Sequence, residues 1–217
     1  MPEYRTEPYV VPVGSGLLPE GERSRRVALT SFDKGRSAVP RVPSREVVCY
    51  ECGMVTSVPT AALSAKCSHC QAYLKMTDVE LKPGAQRLTV RTLGDVRVLA
   101  DAVLSQLSVV CRHCYLNGRG SGNFRCSGNL EVNCNNRIEG SVQASRLLVP
   151  RGVDLVLTQG ATCDELVVSG RVTGRIVARK SVTLRRGAEL YGNCFTPALN
   201  VEPGAVHRGE WHAVVPE

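Results

Sequence analysis

A chain of 217 residues that is 43% hydrophobic and 22% charged can bury a core. Aromatics supply only 5% while glycine numbers 20 and proline 12, so that core must rest on Val, Leu, Ile and Ala in thin, regular layers, not on bulky rings. A net charge of +7 permits contact with nucleic acid or anionic lipid, yet the basic residues are interleaved with apolar ones, the pattern of a solvated strand face and not of a dedicated groove.

Met1 to Arg5 carry no apolar leader, and no apolar run reaches the roughly 18 residues of a membrane span. The expected location is the cytoplasm. In that reducing compartment ten cysteines call for metal or packing as their explanation, because a disulfide framework does not persist there.

Residues 1–44 hold six prolines and four glycines without apolar periodicity, and read as a disordered basic tail. Arg23, Arg25 and Arg26 precede Val27, Ala28 and Leu29 within it, but a solvated linker is the simpler reading.

Residues 45–76 contain Cys49-Tyr-Glu-Cys52-Gly53 and Cys67-Ser-His-Cys70, separated by fourteen residues. Two residues between paired cysteines let the chain turn tightly enough for both thiolates to reach one ion, and Gly53 supplies a permissive φ. Two such turns place Cys49, Cys52, Cys67 and Cys70 at the corners of a tetrahedron, the ligand set of a zinc ribbon. Four thiolates leave no open position, so the Zn2+ expected here is structural and cannot activate water. A segment this short buries little apolar surface, and metal binding would supply the missing folding free energy. His69 reads as a surface or outer residue, not a ligand.

Residues 77–212 repeat at an offset of 52: 116–153 runs parallel to 168–205 without a gap, with Gly118 on Gly170, Gly122 on Gly174, Gly140 on Gly192 and Gly152 on Gly204. Inside each unit, apolar-x-apolar triplets start at Val96, Cys114, Leu130, Leu147, Leu166, Val182 and Leu199, at spacings of 18, 16, 17, 19, 16 and 17. Such runs broken by glycine describe short strands with one buried face. Apolar positions also step by six through Leu166, Val172, Ala178, Leu184 and Leu190, giving three sides per turn. The predicted architecture is therefore all-β: a three-sided parallel β-helix of six or seven turns, preceded by the four-cysteine ribbon and followed by a short tail at 213–217.

The repeat sorts the other cysteines. Cys114, Cys126 and Cys194 align with core positions and read as small hydrophobes, while Cys111 aligns with Cys163. Cys111 and Cys114 with Cys134 invite a second metal site, but the register turns Cys114 inward and Cys134 outward, so that reading is set aside.

A solenoid's terminal turns expose unpaired backbone and an open apolar cross-section unless capped. No capping helix is evident, and the last turn offers Val206 and the lone tryptophan, Trp211, as a lid or as an adhesive surface for another subunit.

The string Leu166-Val-Val-Ser-Gly-Arg-Val-Thr-Gly-Arg-Ile-Val-Ala178 followed by Ser181-Val-Thr-Leu184 resembles the bactofilin family over roughly 86–210. That resemblance implies a right-handed β-helix, a bacterial cytoskeletal role, nucleotide-independent polymerisation with itself through solenoid ends, no enzymatic activity, and recruitment of cell-wall or morphogenesis partners, often near the membrane. The ribbon departs from the family pattern, and the start Met-Pro-Glu-Tyr argues against membrane attachment.

Two rivals remain. A hexapeptide-repeat acyltransferase needs a catalytic base, and its candidates are His69, His113, His207 and His212, without a strict isoleucine-led repeat. A zinc-ribbon adaptor multimerised by the β-helix would bind protein or nucleic acid, although Tyr50, Tyr73, Lys66 and Lys75 make a thin basic-aromatic face.

Overall fold

The structure, a computed structural model, describes residues 43–85 and 89–213. The expected tail therefore lies outside the described residues apart from Pro43 and Ser44, as do 214–217. Every regular element among the described residues is a strand.

The first four strands form two antiparallel hairpins. β1 (Ser44–Val48) pairs with β2 (Val55–Pro59), and β3 (Ser64–Lys66) pairs with β4 (Tyr73–Lys75). β2 alternates, with Thr56 and Val58 buried, as a strand with one packed face does. A small core of Cys49, Val58, Cys67, Leu74 and Met76 joins the hairpins. The Leu93 amide donates to Lys75 O at 2.7 Å and the Thr92 hydroxyl donates to Thr77 O at 2.7 Å, fastening this unit to the segment that carries Thr92 and Leu93.

From Val79 onward all pairing is parallel, each strand stacking on one 15–19 residues away in sequence. One column runs Val79, Val96, Cys114, Leu130, Leu147, Leu166, Val182, Leu199. These partners reproduce the triplet spacings read from the sequence. A second column passes from Asn136–Ile138 to Val206–Arg208, and a third from Thr89–Arg91 to Trp211–His212. The long strands Arg119–Val132, Val142–Val149, Ala161–Val168 and Ile176–Leu184 round the corner between the third and first columns, so three faces close each turn.

The first column holds eight strands, where six or seven turns were expected. Val79–Leu81 is the missed turn: Val79 and Leu81 form an apolar triplet 17 residues before Val96, hidden because it comes directly after the ribbon. Eight levels at the ~4.8 Å strand spacing span about 34 Å.

One continuous core fills the coil, from Leu81 to Cys194. The six-residue step is visible in it: Leu166, Val172, Ala178, Leu184 and Leu190 are all fully buried. Two kinds of glycine let the turns stack. Gly152, Gly187 and Gly204 hold φ near +80 at one corner, where an L side chain is strained. Gly192 and Gly209 lie on a different line, where a Cβ would stand 2.3 Å and 2.2 Å from the carbonyl oxygen of the glycine one turn below. Outer faces carry ion pairs between successive turns, among them Arg112–Asp95, Arg146–Glu165 and Arg171–Glu189. The interleaved arginines thus lie where a solvated strand face puts them.

Candidate metal centre and solenoid end

Each hairpin turn presents one cysteine pair. In the first, the Cys49 amide donates to Met54 O and the Gly53 amide returns to Cys49 O, both at 2.9 Å; in the second, the Cys67 amide donates to Ala72 O and the Gln71 amide to Cys67 O. The two knuckles are copies of one geometry. Gly53 has φ +73 and Gln71 occupies the same position with φ +60. The left-handed residue was legible as Gly53, but its partner was not, because glutamine carries no turn signature and is held there by the hairpin's hydrogen bonds.

The four sulfurs of Cys49, Cys52, Cys67 and Cys70 lie within 4.8 Å of one another, with Cys49–Cys70 and Cys52–Cys67 both at 3.7 Å. Metal–sulfur bonds of about 2.3 Å at tetrahedral angles place sulfurs about 3.8 Å apart, so the set can hold a metal ion without rearrangement. The Glu51 amide points at the Cys49 sulfur at 3.4 Å, and the Thr56 hydroxyl lies 3.6 Å from that of Cys67. Backbone amides of Cys70 and His69, then the Thr56 hydroxyl, pull the Cys67 thiol down to about 6. Cys70, despite its hydrogen bond with the Ala72 backbone, is pushed up by burial and the neighbouring sulfurs, so a bound cation would have to draw off protons for all four to ligate. His69 is exposed and outside the sulfur cluster.

Beside this unit, a cleft of about 840 Å3 runs between β1 with its knuckle and the outer side of the third column, where Arg112, Arg125 and Arg179 project. Arg91 and Glu51 pair across the same junction.

The three buried cysteines that the sequence treats as core are buried, but they are not scattered. Cys114 and Cys126 join Cys111 in a second cluster with all sulfurs within 4.8 Å, whereas Cys194 lies apart. Cys134, expected outward, is half-buried and donates to Gly118 O at 3.1 Å, because the corner it occupies folds its thiol back on the turn below.

At the far end, the last turn comprises Leu199–Val201, Val206–Arg208 and Trp211–His212, each paired on one side among the described residues. Leu199, Val201 and Trp211 sit over the buried Val182, Leu184 and Cys194, so their side chains continue the core. Nothing described lies above them, and Val201 and Trp211 are left 48% and 50% exposed. The Trp211 indole N–H donates to Thr196 O at 3.1 Å, which fixes the ring across the opening. Val206 pairs with Glu189, whose neighbour Leu190 is the inward residue, so Val206 lies on the outer flank. Sequence reasoning missed Leu199 and Val201 as parts of this end, although they close the same triplet series.

Residues 156–212 match the bactofilin family model, described as polymer-forming cytoskeletal. That stretch of the coil is similar to the bactofilin family. The match covers about a quarter of the chain and takes in the C-terminal part of the coil, from the fifth level to Trp211 and His212. The family is structural and cytoskeletal by that description. No curated protein and no solved structure matches the chain. Among the described residues no helix is long and apolar enough to cross a membrane.

Proposed function

We propose that the chain is a nucleotide-independent, polymer-forming scaffold that assembles through its solenoid ends and recruits other proteins. The observation that carries this reading is the C-terminal turn, over which nothing described lies, where Leu199, Val201 and Trp211 continue the core above strands paired on one side among the described residues. Burying that surface against a second copy removes apolar area from water and supplies partners to free backbone groups, and neither gain requires a nucleotide. Trp211 is the centre of the proposed contact and Val206 its flank.

In this reading Cys49, Cys52, Cys67 and Cys70 hold one structural zinc, and the ribbon displays a surface for partners serving cell-wall or shape functions on the cytoplasmic side of the membrane. Val48, Met54, Val55 and Leu63 are all exposed there, which favours an apolar protein partner over nucleic acid.

Electron microscopy of the purified chain without ATP or GTP tests the proposal. Filaments or end-to-end oligomers are expected. A strictly monomeric species across a wide concentration range overturns it, and a salt-dependent shift of labelled DNA or RNA would move the ribbon to a nucleic-acid role.

A further inference from the structure

Cys111, Cys114 and Cys126 are 3%, 0% and 4% exposed, and their sulfurs gather within 4.8 Å, with Cys111–Cys126 at 3.6 Å. Cys111 ends Val103–Cys111 and Cys114 opens Cys114–Leu116, so a Cys-x-x-Cys pair spans the corner between the third and first columns. Cys126 stacks directly on Cys111 from the next turn.

The same corner recurs along the coil with a different content. There a small residue faces a branched aliphatic one: Ala144 with Leu147, Cys163 with Leu166, Ala178 with Val182. Cys114 takes the place held by Val96, Leu130, Leu147, Leu166 and Val182 in its column. Packing alone asks for an aliphatic side chain at that position, and a cysteine leaves the space of a methyl group or more beside two other sulfurs.

We propose that these three cysteines form a second metal site, a trigonal three-sulfur site for a soft d10 cation, with copper(I) as the probe. Soft thiolates select such ions. Metal–sulfur bonds near 2.3 Å in a plane set sulfurs about 4.0 Å apart, inside the range observed. Among the described residues no fourth donor joins the cluster. The Nδ1 of His113 accepts from the Asn129 amide at 2.9 Å, and the Cys134 thiol is committed to Gly118 O. This separates the site from the four-sulfur ribbon and disfavours zinc. Cys111 and Cys126 also line the cleft beside the ribbon, which gives an ion a way in, and Arg112 and Arg125 there offset the negative charge of the thiolates. Each thiol that ligates gives its proton to water, so uptake weakens as pH falls.

The test uses the full chain with its ribbon loaded with zinc, titrated anaerobically with copper(I) against a competing chelator. One copper per chain is expected, with no release of zinc and with X-ray absorption reporting three sulfurs. Cys114→Leu, which restores the residue of neighbouring turns, and Cys126→Ala, which matches Ala144 and Ala178, should each fold and lose that copper. Cys49→Ser with Cys67→Ser should retain it. Undiminished copper in the two core variants, or zinc released in step with copper taken up, overturns the proposal.

Discussion

Replacing Trp211 by serine probes the proposed assembly surface without touching the buried core. Trp211 is half exposed on the last strand. A tryptophan buries up to about 250 Å2 when fully covered, so covering the exposed half in an end-to-end contact removes about 125 Å2 from water. At about 25 cal/mol per Å2 this is about 3 kcal/mol per copy, a weakening of about a hundredfold in end-to-end association. Where like ends meet, both copies lose it and the effect doubles. Sedimentation velocity over a concentration series, with electron microscopy on the same samples, reads the shift. Thermal melting should fall as well, because the half of the ring already covered by the last turn and the indole N–H to Thr196 O are also lost, so assembly is compared well below the melting range of both proteins. Trp211→Ser assembling at the wild-type concentration would refute the reasoning.

Cys49→Ser with Cys67→Ser should abolish zinc binding and unfold residues 45–76 while leaving the solenoid intact, as metal analysis and circular dichroism would show; unaltered metal content refutes the ligand assignment. Leu166→Ala opens a cavity between Leu147 and Val182 in the middle of the rod and should cost about 2–5 kcal/mol in denaturant unfolding. The Glu202 carboxylate accepts from the Arg185 guanidinium at 2.7 Å and the Arg186 amide at 3.0 Å, which hold it below its ordinary value of 4.5. Its contribution to the last turn is therefore complete above that value and is lost as pH falls through the lower folded value. Hydrogen exchange at Leu199–Val201 should quicken over that acid window, and Glu202→Gln should remove the dependence.

The coil was legible because a solenoid writes its register into sequence: each inward triplet recurs when the chain has gone once around, and the spacings of 16 to 19 between triplets are the spacings between hydrogen-bonded partners. Val79–Leu81 escaped because a single triplet next to an unrelated unit has no repeat before it. The ribbon's sulfurs were legible because a Cys-x-x-Cys turn is local chemistry. The core cysteines were legible as buried, but their gathering was not, for the opposite reason. Cys126 reaches Cys111 by stacking and reaches Cys114 across a corner, and neither relation shows in linear spacing until the turns are closed. The same holds for Val201, whose importance comes from having nothing described above it.

A turn in this rod answers only to the turns on either side of it, and the surfaces that could join one molecule to another belong to the outermost levels alone. In the proposed assembly, length and adhesion are therefore written in separate parts of the chain. Inserting another 52-residue block at an internal level would lengthen the molecule by about 14 Å and leave Leu199, Val201 and Trp211 presenting the same face, so a lineage can adjust the reach of this protein without renegotiating how its copies meet.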